Sequence, residues 1–167
     1  MRLVGGLPHA LDPDRRYWLH VCWVLLQLSG TAAQFWLFWS YRDIEWNYPS
    51  FLLALANPSL LYFTACTLVP EAPASVESWR TYYYSVRRKL FLAITLLSLV
   101  IAAQSSVLLQ VPIDHPDRVT QAMLFVAGVV GASSGNPRVH AGLGAFFVGL
   151  VFIAMFTQFA GPSPLAQ

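Results

Sequence analysis

Charge is scarce in this chain. Of 167 residues only 10 are Lys or Arg and 8 are Asp or Glu, 11% in all, less than half the roughly 25% of an ordinary soluble domain. With 56% hydrophobic residues, that scarcity excludes a conventional water-facing surface. The apolar runs leave no stretch long enough for a separate soluble domain, so residues 1–167 read as one membrane domain.

Cysteine is nearly absent as well. Cys22 and Cys66 both fall inside apolar runs, where a thiol behaves as a small hydrophobe, so no disulfide framework is expected and the redox compartment is not readable. No catalytic signature and no internal repeat emerges. The reading therefore leans away from an enzyme, with no catalytic residue, no cofactor, no metal and no nucleic-acid partner expected.

What is present is a series of long apolar runs separated by charged or proline-bearing loops. Spans are expected at about 17–39, 49–69, 90–111, 116–134 and 140–160, each near the roughly 20 residues that a helix needs to cross about 30 Å of hydrocarbon. The fold expected is all-α, an integral membrane bundle of five transmembrane helices. The alternative is four spans plus a re-entrant segment, because the uncharged run in 116–134 is short and reaches full length only if Asp117 and Arg118 extend to the interface.

Arg15 and Arg16 ahead of an apolar run raise the question of a signal peptide with Thr31-Ala32-Ala33 as its cleavage site. A retained span fits better, since Asp12 and Asp14 would lie in the leader's basic region and the run continues through Phe35 to Trp39. Asp12-Pro13 reads as the helix start, a carboxylate cap followed by proline in the first turn. Trp18 at one end and Trp36, Trp39 and Trp46 at the other resemble interfacial aromatic belts.

Ahead of the third span, residues 75–89 have the spacing of an amphipathic surface helix that runs on into the span. Trp79, Tyr82, Tyr83, Val86 and Leu90 share one side, and Glu77, Arg80, Tyr84, Arg87 and Arg88 most of the other. Arg87, Arg88 and Lys89 would meet anionic lipid headgroups. With five crossings, one side of the membrane receives Arg2, Arg15, Arg16, Arg80, Arg87, Arg88, Lys89 and Arg138, and the other only Arg42 and Arg118. That bias places the N-terminus in the cytoplasm, the membrane being a bacterial inner membrane. A dipping fourth segment would move only Arg138, so the side of the C-terminus stays open.

Several polar residues fall within these spans. His20, Gln27 and Gln34, with Thr31 close by, repeat along one stripe of the first span that should face the bundle interior. Asn57-Pro58 interrupts the second, freeing the carbonyl of Ala54. Such side chains either hydrogen-bond to neighbouring helices or, with the helix break, form a polar site for a small solute or ion. His20 and His140 lie near the same ends of their spans and are weak candidates for haem ligation. Asp43, Glu45, Asp114, His115 and Asp117 share the outer loops without forming a convincing metal set. Ala141, Ala145 and Gly149, spaced by four, form a small-residue face for close helix approach, with Gly128 and Gly131 doing the same in the fourth segment.

The string Tyr17-Trp18-Leu19-His20, then Phe35-Trp36, Trp39, Glu45-Trp46, Pro49, Phe51, Tyr62, Ala65 and Pro70-Glu71, with Asn136-Pro137-Arg138-Val139-His140 later, resembles a group of bacterial multi-pass membrane proteins. The matches cover most of the chain. The resemblance implies a membrane bundle and brings no activity with it; members of that group carry a further span ahead of the matching region. The function expected is a non-enzymatic accessory or homo-oligomeric membrane subunit. The alternatives are a small-solute or ion carrier using His20, Gln27, Gln34 and Asn57, and, behind it, a haem-bearing redox subunit.

Overall fold

The computed structural model describes residues 2–154 and residue 156. All regular structure among them is helical: α1 (Arg2–Ala10), α2 (Trp18–Phe38), α3 (Tyr48–Leu68), α4 (Trp79–Val107), α5 (Asp117–Ser133) and α6 (Pro137–Ala154), with 3-10 turns at Trp39–Tyr41 and Pro73–Ser75. Four of the helices, α2, α3, α4 and α6, are long and apolar enough to cross a membrane. The last part of the expected fifth span, 157–160, lies outside the described residues.

Helix ends follow local chemistry. Asn47 caps α3 by accepting from the Ser50 amide at 2.9 Å while Ser50 Oγ accepts from the Asn47 amide, also at 2.9 Å, and Pro49 sits in the first turn, where its missing N–H costs nothing. Ser78 caps α4 more loosely, through the Thr81 amide at 3.4 Å. The expected helix start at Asp12-Pro13 is not one. Asp12 instead receives two N–H bonds from Arg15, at 2.9 and 2.6 Å, which draws its carboxylate into a turn, and α2 begins only at Trp18.

Residues from Trp79 onward, expected as a surface helix, are the first turns of the single 29-residue helix α4. Trp79, Tyr83 and Leu90 are buried there, while Arg80, Arg88 and Lys89 are exposed. Arg87 is turned inward, donating to the carbonyls of Tyr84 at 2.9 Å and Ser134 at 3.2 Å.

The α4–α5 hairpin is the most extensive helix pairing, and its antiparallel register is legible from its contacts. Gln121 bonds to Ser105 at 2.9 Å, Gly128 lies against Thr95, Gly131 against Phe91, and Ser134 meets Arg87. The glycines allow this approach. A Cβ on Gly128 would lie 2.9 Å from the Thr95 amide nitrogen, and one on Gly131 would overlap the Phe91 ring.

The turn after α4 is held by Arg118, which donates to the carbonyls of Val111 at 2.6 Å, Ala102 at 3.1 Å and Pro112 at 3.3 Å. Gln110, at φ 51°, makes the left-handed step there, a conformation that costs a non-glycine residue about 1 to 2 kcal/mol. Arg118 thereby ties two residues of the irregular chain, Val111 and Pro112, to the end of α4 at Ala102.

The main core gathers near the arginine-rich end, where Leu19, Trp23 and Val24 of α2 meet Leu68 of α3 and Tyr83, Leu90 and Phe91 of α4. Helix α6 joins it through Gly144 against Leu19 and Phe147 against Trp23. Helix α1 packs on α2 and α3, with Gly6 against Val69. Its end is tied down where Trp79 Nε1 donates to the His9 carbonyl at 2.8 Å.

Candidate functional site

The polar stripe of α2 is divided among separate partners. Gln27 Nε2 donates to the Leu61 carbonyl of α3 at 2.8 Å, and its Oε1 accepts from Thr64, also at 2.8 Å. Thr31 turns back to the Gln27 carbonyl of its own helix at 2.8 Å. Gln34 is 6% exposed and its Nε2 has no hydrogen-bond partner. His20 is fully buried with neither ring nitrogen bonded.

Asn57 belongs to a different cluster, centred on Gln104 of α4. Gln104 Nε2 donates to the Leu53 carbonyl at 2.7 Å and reaches the Ala54 carbonyl at 3.4 Å. Its Oε1 accepts from Asn57 Nδ2 and from the Tyr41 hydroxyl, each at 3.3 Å. All three side chains are buried. Pro58 cannot donate to Ala54, four residues before it, and Gln104 from the neighbouring helix lies where that donor is missing. The four polar residues read as a possible carrier site are thus not gathered around one centre.

The histidines lie in an aromatic cluster at the arginine-rich end. His20 stacks on Trp79, centroids 4.6 Å apart at 25°, with Tyr82 and Tyr83 edge-on. Tyr83 also meets His140 edge-on at 5.5 Å, so its ring touches both imidazoles. The Ser134 carbonyl lies 2.9 Å from His140 Nε2. A carbonyl only accepts, so Nε2 carries the proton. Nδ1 then accepts from the Tyr83 hydroxyl at 2.9 Å. Both nitrogens of His140 are therefore engaged, and an axial bond to a haem iron would break one of these contacts.

Among the described residues no group of three or more His, Cys, Asp or Glu side chains is placed to hold a metal. Of the loop residues weighed as a metal set, His115 lies 3.5 Å from Asp117 and Asp43 pairs with Arg42 at 3.1 Å. Cys22 and Cys66 are free and half-buried. Outside the spans, the Arg15 hydrogen bonds hold the Asp12 carboxyl below its usual value of 3.8. Arg15 also donates to the carbonyls of Ala74 at 3.0 Å and Val76 at 3.2 Å, tying this turn to the loop before α4.

On the small-residue faces, Gly128 and Gly131 sit inside the α4–α5 contact. On α6 the inward glycine is Gly144. A Cβ at Gly142 or Gly149 would meet nothing within 4 Å, Ala145 is exposed and Ala141 half-buried.

Sequence reasoning passed over Gln104, although a carboxamide in the third apolar run is the same kind of signal that singled out Gln27 and Gln34. It also left Tyr83 on a surface helix. No family model, curated protein or solved structure matches the chain.

Proposed function

We propose that the chain is a non-enzymatic integral membrane protein with five crossing helices, which works by association with a second copy of itself through the outward face of α6. Support for the fifth crossing comes from α5. It runs antiparallel to α4 from the Gln121–Ser105 contact to the Ser134–Arg87 contact, a rise of roughly 25 Å for its 17 residues. Its first turn carries Arg118, and the turn after it leads to His140 beside Tyr83 at the opposite end.

Orientation follows from charge. Arg15, Arg16, Arg80, Arg87, Arg88, Lys89 and Arg138 share one end and Arg42 and Arg118 the other, which by the positive-inside rule puts the first end in the cytoplasm of a bacterial inner membrane. Arg88 and Lys89, exposed there, suit anionic headgroups.

The observation that carries the association reading is the α6 face of Gly142, Ala145 and Gly149, which is turned away from the bundle and open to close approach. Small residues on a lipid-facing helix let a second backbone come near enough for dispersion contacts to outweigh those with lipid tails. The bonded state of Gln27 and Asn57 weighs against a carrier. The test is a native mass spectrum of the full chain released in mild detergent. Multiples of the chain mass that collapse to one copy on Ala145→Leu support the proposal; a single copy in the unaltered chain refutes it.

A further inference from the structure

Beside the α2–α3 contact lies a groove of about 440 Å³, within the size range of small-ligand sites. Leu28, Thr31 and Gln34 of α2 line its inner part, and the exposed Val4, Phe35 and Tyr62 form its rim. The lining is apolar apart from Thr31, Gln34 and the hydroxyl of Tyr62 at the exposed rim. The Thr31 hydroxyl is already committed to the Gln27 carbonyl. The Gln34 amide is the buried polar group left among these, more than nine-tenths buried and with Nε2 unpartnered, whereas Tyr62 is 67% exposed.

We propose that this groove binds an acyl chain whose carbonyl oxygen accepts a hydrogen bond from Gln34. An amide N–H in hydrocarbon has no water to turn to, so an acceptor must come from protein or lipid. Gln34 stands four residues before the end of α2 at Phe38, roughly 6 Å along the axis. That is within side-chain reach of the level where acyl carbonyls lie beneath the headgroups. The exposed rim opens sideways between the helices, the direction from which a lipid enters. Donation requires the terminal amide to rotate into the groove. The occupant is a membrane glycerolipid, whose ester carbonyls lie at the level Gln34 reaches while its headgroup stays at the interface. The site is independent of the α6 face.

The test uses the full chain in native membranes of cells fed a fatty acid carrying a diazirine, with peptide mapping after illumination. Adducts are expected on the α2 and α3 peptides that line the groove, well above those on the exposed Leu92, Leu96 and Leu99 of α4. Gln34→Leu should lower groove labelling roughly three- to tenfold, the worth of one hydrogen bond, and leave the adducts on that α4 face unchanged. Groove adducts with the mass of an intact glycerolipid support the site, and groove adducts with the mass of the fatty acid alone overturn that occupant. Equal labelling of the groove and the α4 face, or labelling indifferent to Gln34→Leu, overturns the site. If Gln34→Leu does not insert, Val4→Trp at the exposed rim decides: loss of groove adducts upholds the site, and unchanged labelling overturns it.

Discussion

Gln104 donates from Nε2 to the carbonyl of Leu53 at 2.7 Å, one residue before the carbonyl that Pro58 leaves without its helical donor. One side chain thus spans the break in α3, and its Oε1 collects Asn57 and Tyr41 as well. Gln104→Leu should destabilise the bundle by about 1 to 3 kcal/mol, the cost of buried groups left unpaired. In a Pro58→Ala background, where Ala54 regains its own donor, the same change should cost less. Unfolding of the four proteins in detergent measures that coupling; additive effects would deny Gln104 its role at the break.

A second expectation concerns the α4–α5 seam. Gly131→Ala places a methyl into the Phe91 ring and should cost about 1 to 3 kcal/mol by overpacking. Phe91→Leu should restore part of it. Gly149→Ala, inside a helix where a Cβ meets nothing, should leave the single chain as stable or raise its stability by up to about 1 kcal/mol.

The tautomer of His140 is fixed by its two partners. Nitrogen chemical shifts should report a proton on Nε2 and a bare, hydrogen-bonded Nδ1. Tyr83→Phe should remove the Nδ1 hydrogen-bond signature while leaving Nε2–H in place. The opposite tautomer in the unaltered chain would contradict the geometry.

Asp12 gives a pH dependence with a definite sign. Its carboxyl is held below 3.8 by Arg15, so the turn's contribution is complete above about pH 4 and is lost as pH falls through the lowered value. Thermal unfolding in detergent between pH 5 and 2.5 should show a falling midpoint that is flatter in Asp12→Asn. Because the turn also carries Arg15 to Ala74 and Val76, proteolysis at the loop before α4 should rise over the same range.

Much of the helical layout was legible because a span in lipid must be long, apolar and internally bonded. Ends marked by chemistry, such as Asn47 and Pro49, fall close to where the runs stop. Helix α1 was not legible. Arg2–Ala10 contains two glycines and a proline, poor helix formers, and it is held by contacts with Val69 and Trp79 that lie far away in sequence. The apolar spacing of Trp79 and Tyr83 was read correctly as one side of a helix, yet burial between helices and burial in a headgroup layer leave the same pattern. The stripe of His20, Gln27 and Gln34 was visible as a stripe. Their partners, a backbone carbonyl at Leu61 and none for Gln34 Nε2, depend on the register of α3 and could not be.

Disulfide trapping in native membranes asks whether α6 turns its small residues toward a second copy. In a chain with Cys22 and Cys66 replaced by alanine, single cysteines are placed at Ala145 and Gly149, and at the inward Leu143 and Phe147 that pack on the core. Oxidation should trap a covalent dimer at the first pair and none at the second. No dimer at Ala145 or Gly149, or equal trapping at the inward positions, would contradict the account.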